Sequence, residues 1–255
     1  WENDLIGYYR MDEANGTTVF DHSNKANHGV LQNANDSVYT TSGADLWNGV
    51  VRGEALGLVG TSETETATVS DNDLLDITGD HTYAVWIKAN PDGTGSDNRD
   101  TVFTKTDSTD GPIELNVWKN SSGKLVVSYH WDNDGTGTWA NVQNTGCAEQ
   151  TPANEWIHVA MTGTSSWQKL YINGFLCGSG TNTYNPGAND VDFLIGADDA
   201  GYDYEGRLDN LAIYNTTLSQ QLIRDRMHND LTGTEYGLVA YYPIIDTGDM
   251  LVDVG

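Results

Sequence analysis

Short runs of alternating or apolar residues, separated by turns rich in glycine and asparagine, recur along almost the whole of this chain. Such runs favour β-strands, because β-branched and aromatic side chains suit extended backbone, whereas Gly and Asn interrupt it. The runs cover residues 5–11, 54–59, 66–69, 83–89, 101–105, 113–119, 124–130, 138–143, 156–163, 168–172, 175–178, 191–195 and 207–214. A set of this size predicts two packed antiparallel sheets.

The alternation is clearest in residues 83–88 and 125–130, where one face of the strand can meet a core while the other faces solvent. Asn173 and Gly174 separate two further runs, and this dipeptide supplies the two positive-φ residues of a type I′ turn. The sequence therefore predicts a β-hairpin over residues 169–177.

A single helix is predicted near the C-terminus. Ser219 is a candidate N-cap, and the apolar residues Leu218, Leu222, Ile223 and Met227 recur at helical spacing before Asp230 and Gly233. We expect this helix to cover one edge of the sandwich.

The end of the chain repeats its beginning. Residues 238–243 (LVAYYP) echo residues 5–10 (LIGYYR), and residues 251–253 echo residues 19–21. We predict one sandwich domain over residues 1–235. Residues 236–255 form either an extra edge strand of that domain or the truncated start of a second repeat in a multidomain chain.

The chain is strongly acidic, with 37 Asp and Glu against 12 Lys and Arg and a formal net charge of −25. This charge repels nucleic acid and anionic membrane surfaces, and no apolar run approaches the roughly 20 residues that span a bilayer. Two compatible explanations remain for the excess. Carboxylate clusters bind Ca²⁺, or the acidic surface keeps the protein soluble in a saline medium.

Cys147 and Cys177 are the two cysteines of the chain. An isolated pair of this kind predicts one disulfide closing a loop of about 30 residues, and the alternative is two buried thiols in a reducing compartment. The chain begins at Trp1 without a signal peptide, so it looks like a processed piece. We expect a secreted or cell-surface location.

Taken in order, several segments resemble the laminin-G-like branch of the concanavalin A-like lectin and glucanase superfamily, in particular its bacterial-type jelly-roll domains. The opening signature lies in residues 7–23 (GYYRMDEANGTTVFDHS) and in residues 27–29 (NHG). The other landmarks follow in family order at residues 75–80, 84–88, 155–160, 170–174, 195–197 and 206–215. Residues 55–59 depart from the family by lacking its usual Phe-Asp-Gly, and residues 92–100 and 130–138 read as enlarged loops.

The resemblance implies an all-β fold, a two-sheet antiparallel jelly-roll sandwich with one short C-terminal helix. It also implies a structural calcium ion near the sandwich edge, held by Asp21, Ser23, Asn27 and Asp209. Carboxylate and carbonyl oxygens suit this hard cation. The alternative is that Asp21 and Asn27 are turn residues that bond to their own backbone.

Glycan recognition needs flat aromatic faces beside groups that accept hydrogen bonds from hydroxyls. Two loop regions supply this combination, through Trp131, Asp132, Asp134 and Trp139 and through Tyr202, Asp203 and Tyr204. The alternative for Trp131 is that its ring caps the sandwich or packs on a partner domain. We expect Asp198, Asp199 and Asp203 to form a solvated turn.

The sequence predicts no catalysis. The retaining glucanases of the resembled superfamily carry a Glu-x-Asp-x-x-Glu-like run, which is absent here, and Glu63-Thr64-Glu65 is the nearest approach. We therefore expect an extracellular, calcium-stabilised carbohydrate-binding module of an adhesin or a polysaccharide-active protein. Its partner would be a glycan or polysaccharide. The alternative is a non-catalytic adhesion or spacer domain that binds a surface protein.

Overall fold

A computed structural model of the chain describes residues 5–11, 17–21, 23, 25–32, 39–40, 55–59, 66–92, 95, 98–106, 113–131, 140–181, 188–198 and 200–229. Two antiparallel sheets of eight strands each face one another, and a short helix lies on the outer side of one of them. The predicted all-β jelly-roll sandwich with one short helix is confirmed.

Sheet 1 has the strand order β14-β13-β12-β7-β16-β5-β4, with β1 also paired to β16. Its strands are β1 (Leu5–Tyr9), β4 (Tyr39–Thr40), β5 (Ala55–Val59), β7 (His81–Ala89), β12 (Ile157–Gly163), β13 (Trp167–Ile172), β14 (Phe175–Thr181) and β16 (Glu205–Tyr214). Sheet 2 has the order β11-β10-β9-β8-β15-β6-β3-β2. Its strands are β2 (Thr18–Val19), β3 (Gly29–Gln32), β6 (Thr66–Val69), β8 (Asp100–Lys105), β9 (Ile113–Lys119), β10 (Leu125–Trp131), β11 (Ala140–Gln143) and β15 (Phe193–Ile195).

The core lies between the two sheets. Tyr83 of sheet 1 stacks on Phe103 of sheet 2, with ring centroids 5.6 Å apart, and Phe103 stacks in turn on Phe193 at 5.5 Å. These rings belong to a continuous cluster of buried apolar side chains drawn from both sheets. Burying apolar surface is worth about 25 cal/mol per Å², so this cluster supplies most of the attraction between the sheets.

The predicted hairpin is present, and it carries one end of a disulfide. Asn173 and Gly174 have φ values of 49° and 73° and join β13 to β14, as a type I′ turn requires. Cys177 on β14 is bonded to Cys147, with a Cα–Cα distance of 5.2 Å. Because Cys147 follows β11, the bond ties the end of sheet 1 to the end of sheet 2. The predicted disulfide is confirmed.

Helix α1 (Gln220–Arg226) begins at the predicted N-cap, since the Ser219 hydroxyl accepts a hydrogen bond from the Leu222 N–H at 3.2 Å. The helix packs on the outer face of sheet 1 through Ile223, whereas we expected it to cover an edge. Leu222 also differs from the prediction, because it is exposed. Within the described part of the chain, no helix is long and apolar enough to cross a membrane. The predicted tail, residues 236–255, lies outside the described residues.

A buried lysine joins two loops at one end of sheet 2. Lys105, the last residue of β8, is fully buried, and its ammonium lies 2.6 Å from Asp71 Oδ1 and 3.1 Å from Asp76 Oδ1. The same ammonium donates to Asn189 Oδ1 at 2.9 Å and to the Val191 carbonyl at 2.8 Å. A buried charge is tolerated only when it is paired and hydrogen-bonded, and here oxygens from two separate loops meet that need.

We predict that Lys105→Met lowers the free energy of unfolding by about 3 kcal/mol, because it leaves two carboxylates beside each other without their cation. Urea denaturation at pH 7 measures the change. Lys124→Met is the matched control. Because Lys124 is half-buried, we expect this substitution to lower the free energy of unfolding by less than about 1 kcal/mol. Equal losses in the two variants would contradict the structural role of the buried ammonium.

Candidate functional site

The outer face of sheet 2 carries polar side chains where β9 and β10 lie side by side. Alternation turns Ile113, Leu115 and Val117 into the core, so Glu114 and Asn116 lie on the opposite face. The strand register pairs His130 with Glu114 and Ser128 with Asn116, which places all four polar residues on one surface.

The loop that follows β15 adds two residues to this surface. The Asp198 carboxylate accepts hydrogen bonds from the Ala200 and Tyr202 N–H groups, both at 2.9 Å, which fixes the turn. The Tyr202 carbonyl then accepts from the Thr101 N–H of β8 at 3.1 Å. The Arg99 guanidinium lies over the Tyr202 ring, 3.7 Å from its centroid. We name this set the β8–β10 cluster, consisting of Arg99, Thr101, Glu114, Asn116, His130, Asp198 and Tyr202.

Hydrogen-bond acceptors outnumber donors at the centre of the β8–β10 cluster. The Thr101 hydroxyl lies 2.9 Å from Asn116 Oδ1, 3.3 Å from Asp198 Oδ2 and 3.5 Å from Glu114 Oε1, yet it has one proton to donate. The Asn116 Nδ2 amide is buried and meets no acceptor among the described residues. A ligand with hydroxyl groups could accept from the amide and donate to the carboxylates.

The environment of the cluster also shifts the pKa values of Glu114 and His130. Burial raises the pKa of Glu114 most, and the nearby Asp198 raises it further, whereas the positive charge of Arg99 and the Thr101 hydroxyl oppose the rise. Burial, with the nearby charge of Arg99, lowers the pKa of His130 to about 4. His130 is therefore neutral at physiological pH, and Arg99 is the cation of the cluster.

The cluster is enclosed at its base and open at its rim. Thr101 and Asn116 are fully buried, and Glu114 and Asp198 are 6% and 8% exposed. Arg99, His130 and Tyr202 are half-buried. A ligand would thus meet the rim residues first and reach the carboxylates beneath them.

The residues that we predicted from sequence to bind ligand separate in the structure. Tyr202 belongs to the β8–β10 cluster, and Asp203 is half-buried beside it. Trp131 is 1% exposed and packs on Tyr129 at a ring distance of 5.0 Å, so its ring does not face a ligand. Tyr204 is fully buried, and its hydroxyl donates to the Arg207 carbonyl at 3.1 Å. The remaining predicted residues, Asp132, Asp134 and Trp139, lie outside the described residues.

Strand phase explains the placement of Trp131, which continues the inward phase of Val127 and Tyr129 along β10. Tyr204 precedes β16, and its burial follows from the loop that returns to β8 rather than from alternation. For Trp131 the structure favours the alternative of packing in the sandwich. Asp198 also departs from the expectation of a solvated turn, because it is buried against Thr101.

Sequence reasoning missed most of the cluster. Glu114 and Asn116 show a usable signal, since they alternate with apolar residues in the run IELNVW. A run of this kind shows that two polar side chains share a face but not which strand lies beside them. The contributions of Arg99 and Thr101 depend on the pairing of β8 with β9 and on the return of the 196–204 loop, which the sequence pattern does not encode.

The Asp21 turn contains three of the four predicted calcium ligands. Asp21 Oδ1 accepts from the Tyr8 N–H at 2.7 Å and from the Ser23 N–H at 2.8 Å. Asp21 Oδ2 accepts from the Ser23 hydroxyl and from the Asn27 N–H, both at 2.8 Å. A carboxylate has about four lone-pair positions, so these four donors leave Asp21 no position for a cation.

Asp209, the fourth predicted ligand, lies on β16 opposite Trp86 and is buried. Within the described ranges, no three His, Cys, Asp or Glu side chains come together as a metal site. The predicted residues therefore do not fit a calcium ion in this arrangement. The geometry favours the alternative, in which Asp21 binds its own turn and the neighbouring β1.

We predict that Asp21→Asn lowers the free energy of unfolding by about 3 kcal/mol, because an amide cannot accept from all four donors. We expect the same loss with Ca²⁺ or with EDTA in the buffer, and the same melting temperature for the unmodified protein in both. Thermal and urea denaturation measure these effects, with the exposed Asp73→Asn as control. A melting temperature of the unmodified protein that falls in EDTA would restore the calcium site.

Comparison with known proteins places the fold in a family. Residues 61–224 match the Laminin_G_3 family profile, described as "Concanavalin A-like lectin/glucanases superfamily". A search of curated protein sequences gave no significant match.

Several solved structures share the fold at low sequence identity. The binding domain of Paraclostridial Mosquitocidal Protein 1 is 15% identical with a TM-score of 0.66, and the match covers 89% of this chain and 52% of that one. Domain 4 of AbnA, an extracellular arabinanase from Geobacillus stearothermophilus solved with arabinotriose, is 19% identical with a TM-score of 0.62, covering 90% and 100%. The receptor binding domain of botulinum neurotoxin D is 17% identical with a TM-score of 0.62, covering 89% and 52%.

This chain thus spans about half the length of the two toxin domains and the whole of the arabinanase domain. The family profile matches well over half of its residues, and its two-sheet architecture agrees with the profile. The chain belongs to the concanavalin A-like lectin/glucanases superfamily.

Proposed function

We propose that this chain is a non-catalytic carbohydrate-binding module of a larger extracellular protein, and that its β8–β10 cluster contacts the glycan. One observation carries the proposal. The outer face of a sheet normally presents solvated side chains, yet here two carboxylates and an unsatisfied amide are enclosed together. Such a group of donors and acceptors suits a ligand rich in hydroxyls.

The chemistry of the cluster matches a sugar ring. Each hydroxyl both donates and accepts, so it can bond to the Glu114 or Asp198 carboxylate and to the Asn116 amide at the same time. The Arg99 guanidinium on the Tyr202 ring adds a planar surface with N–H groups along its edge. Both residues are half-buried, which leaves part of this surface open to a ligand.

The comparisons support a binding role. The structures that share the fold are described as binding or receptor binding domains, or as an arabinanase domain solved with arabinotriose. The arabinanase domain is matched over its whole length, in keeping with a module of a longer protein. The disulfide between Cys147 and Cys177 supports an oxidising, extracellular location.

The β13–β14 turn supports an alternative. Phe175 and Leu176 follow the turn and are 62% and 48% exposed. Adjacent exposed apolar side chains at a turn are typical of protein contacts. This observation favours a protein-binding adhesion module as the second candidate function.

We predict that Tyr202→Ala and Glu114→Gln each weaken binding of a recognised glycan by about tenfold or more, because each removes a contact worth about 1.5 kcal/mol or more. Isothermal titration calorimetry against arabinan-derived and other neutral oligosaccharides measures the change. Phe175→Ala is the control, since it removes an exposed aromatic ring from sheet 1. A loss in the control but not in Tyr202→Ala would move the glycan-binding surface from the β8–β10 cluster to the β13–β14 turn.

We also predict a preference for neutral glycans over polyuronates. The net charge of −25 repels a polyanion, and the cluster places two carboxylates against one guanidinium. Affinity electrophoresis in gels containing arabinan or polygalacturonate measures this preference at low and at high salt. Retardation by polygalacturonate at low salt, equal to that by a neutral polymer, would refute it.

The non-catalytic part of the proposal has its own test. Incubating the protein with a panel of polysaccharides should release no reducing sugar above the level given by Glu114→Gln. Release that depends on Glu114 would instead indicate a hydrolase, because Glu114 and Asp198 could then act as the paired carboxyls of a glycosidase.

A further inference from the structure

The loop between β15 and β16, which carries Tyr202, is bound by three consecutive residues where β8 begins. The Arg99 guanidinium lies over the Tyr202 ring at 3.7 Å, and the Thr101 N–H donates to the Tyr202 carbonyl at 3.1 Å. Between these two residues, Asp100 Oδ2 accepts a hydrogen bond from the Glu205 N–H at 3.0 Å, just where β16 starts. Asp100 therefore holds the far end of the β15–β16 loop against β8.

Acidic side chains surround this hydrogen bond. Asp100 is buried, and the carboxyl groups of Asp92, which follows β7, and of Glu205 lie close to it. Asp92 and Glu205 are also hydrogen-bonded to each other through their carboxyl groups, which requires a proton on one of them. Lys119, the last residue of β9, brings a positive charge to the same place. In the described part of the chain, three carboxyl groups therefore share one ammonium.

The surroundings of Asp100 disfavour its charged form. Burial raises the pKa of Asp100 to about 7, and the charges of Glu205 and Asp92 add to the rise. The hydrogen bond from the Glu205 N–H and the charge of Lys119 oppose it. Burial, and then Asp92, also raises the pKa of Glu205. Burial, and then the charge of Asp100, raises the pKa of the neighbouring Tyr204 well above its usual value, so that phenol stays neutral.

Protonation of Asp100 removes the repulsion and keeps the hydrogen bond. A protonated carboxyl group retains a carbonyl oxygen that can accept from the Glu205 N–H. Because the pKa of Asp100 rises from 3.8 to about 7 when the loop is held, holding the loop binds a proton. The loop is therefore held most firmly at or below about pH 4. The hold weakens as the pH rises towards 7 and changes little above that.

We propose that Asp100 is a positioning residue of the glycan site and that protons control it. The β15–β16 loop is held against β8 when Asp100 is protonated, and it loosens when Asp100, Asp92 and Glu205 are all ionised. Only the effect on glycan rests on the proposed function, through Asp198 and Tyr202, which this loop contributes to the β8–β10 cluster. A glycan that contacts Tyr202 would bind more tightly at pH 5 than at pH 7.5.

Amide hydrogen exchange, followed by NMR on the full chain, measures the hold on the loop without a ligand. The Thr101 N–H donates to the Tyr202 carbonyl, and the Tyr204 N–H donates to the Gly196 carbonyl at 2.8 Å, so both amides report loop opening. We expect their protection factors, corrected for the intrinsic effect of pH on exchange, to fall about tenfold or more from pH 5 to pH 7.5. The amides between β12 and β13 report global unfolding and should change less.

Three variants separate the charge of Asp100 from its hydrogen bond. Asp100→Asn keeps an oxygen for the Glu205 N–H and has no charge to gain, so we expect high protection at both pH values. Asp100→Ala removes the acceptor, and protection of the loop amides should be low at both. Asp73→Asn is the matched control, since Asp73 is exposed in the turn after β6, and it should respond to pH as the unmodified protein does.

Two results of the exchange measurement would overturn the inference. Equal protection of the Thr101 and Tyr204 amides at pH 5 and pH 7.5 in the unmodified protein would show that protons do not control the loop. A full pH response in Asp100→Asn would assign the control to another group.

Isothermal titration calorimetry with a recognised glycan at the same two pH values tests the link to binding. The affinity should fall at pH 7.5 in the unmodified protein and stay constant in Asp100→Asn. Equal affinities in the unmodified protein would overturn the positioning role. A chain that binds no glycan at either pH would overturn the proposed function, whereas the exchange of the Thr101 and Tyr204 amides would still decide whether protons control the loop.

Discussion

The packing of sheet 1 on sheet 2 is the interaction on which the rest of the structure depends. Each strand commits one of its two faces to this contact, and the stacked rings of Tyr83, Phe103 and Phe193 run through its centre. The opposite faces are then free to differ. Sheet 1 uses its outer face to bind α1 over apolar residues, whereas sheet 2 uses its outer face for an enclosed polar cluster.

The fold could be predicted from sequence because its signals are local. The alternation of apolar and polar residues indicated the strands, and the dipeptide Asn173-Gly174 indicated the hairpin. The candidate site could not be predicted, because it is assembled by register between strands and by a loop that returns to β8. The same limit explains why the prediction for Trp131 was misleading. Its position next to an acidic loop suggested a ligand contact, but the alternation of side chains along β10 points its ring into the core. The tail at residues 236–255 stays a prediction, and calcium binding, which the predicted residues do not fit in the arrangement described, is decided by the melting experiment with EDTA.

Internal groups satisfy the buried charges at two places in the structure. The Lys105 ammonium gathers oxygens from two loops, and Asp21 gathers four donors from its own turn and from β1. Both arrangements fix the ends of loops through hydrogen bonds between protein groups. The acidity of the chain then acts mainly at the surface, where it selects against polyanionic partners.

The bond between Cys147 and Cys177 closes the side of the sandwich on which β11 and β14 are the outermost of the described strands in their sheets. Exposed sheet edges are where separate molecules add strand to strand, as in domain exchange and aggregation. The covalent bridge keeps the two edges together, close enough that Gly178 has no room for a side chain beside the Gln143 carbonyl. Reduction would leave the contact of β11 with β14, without a covalent bond, to hold these two edges together.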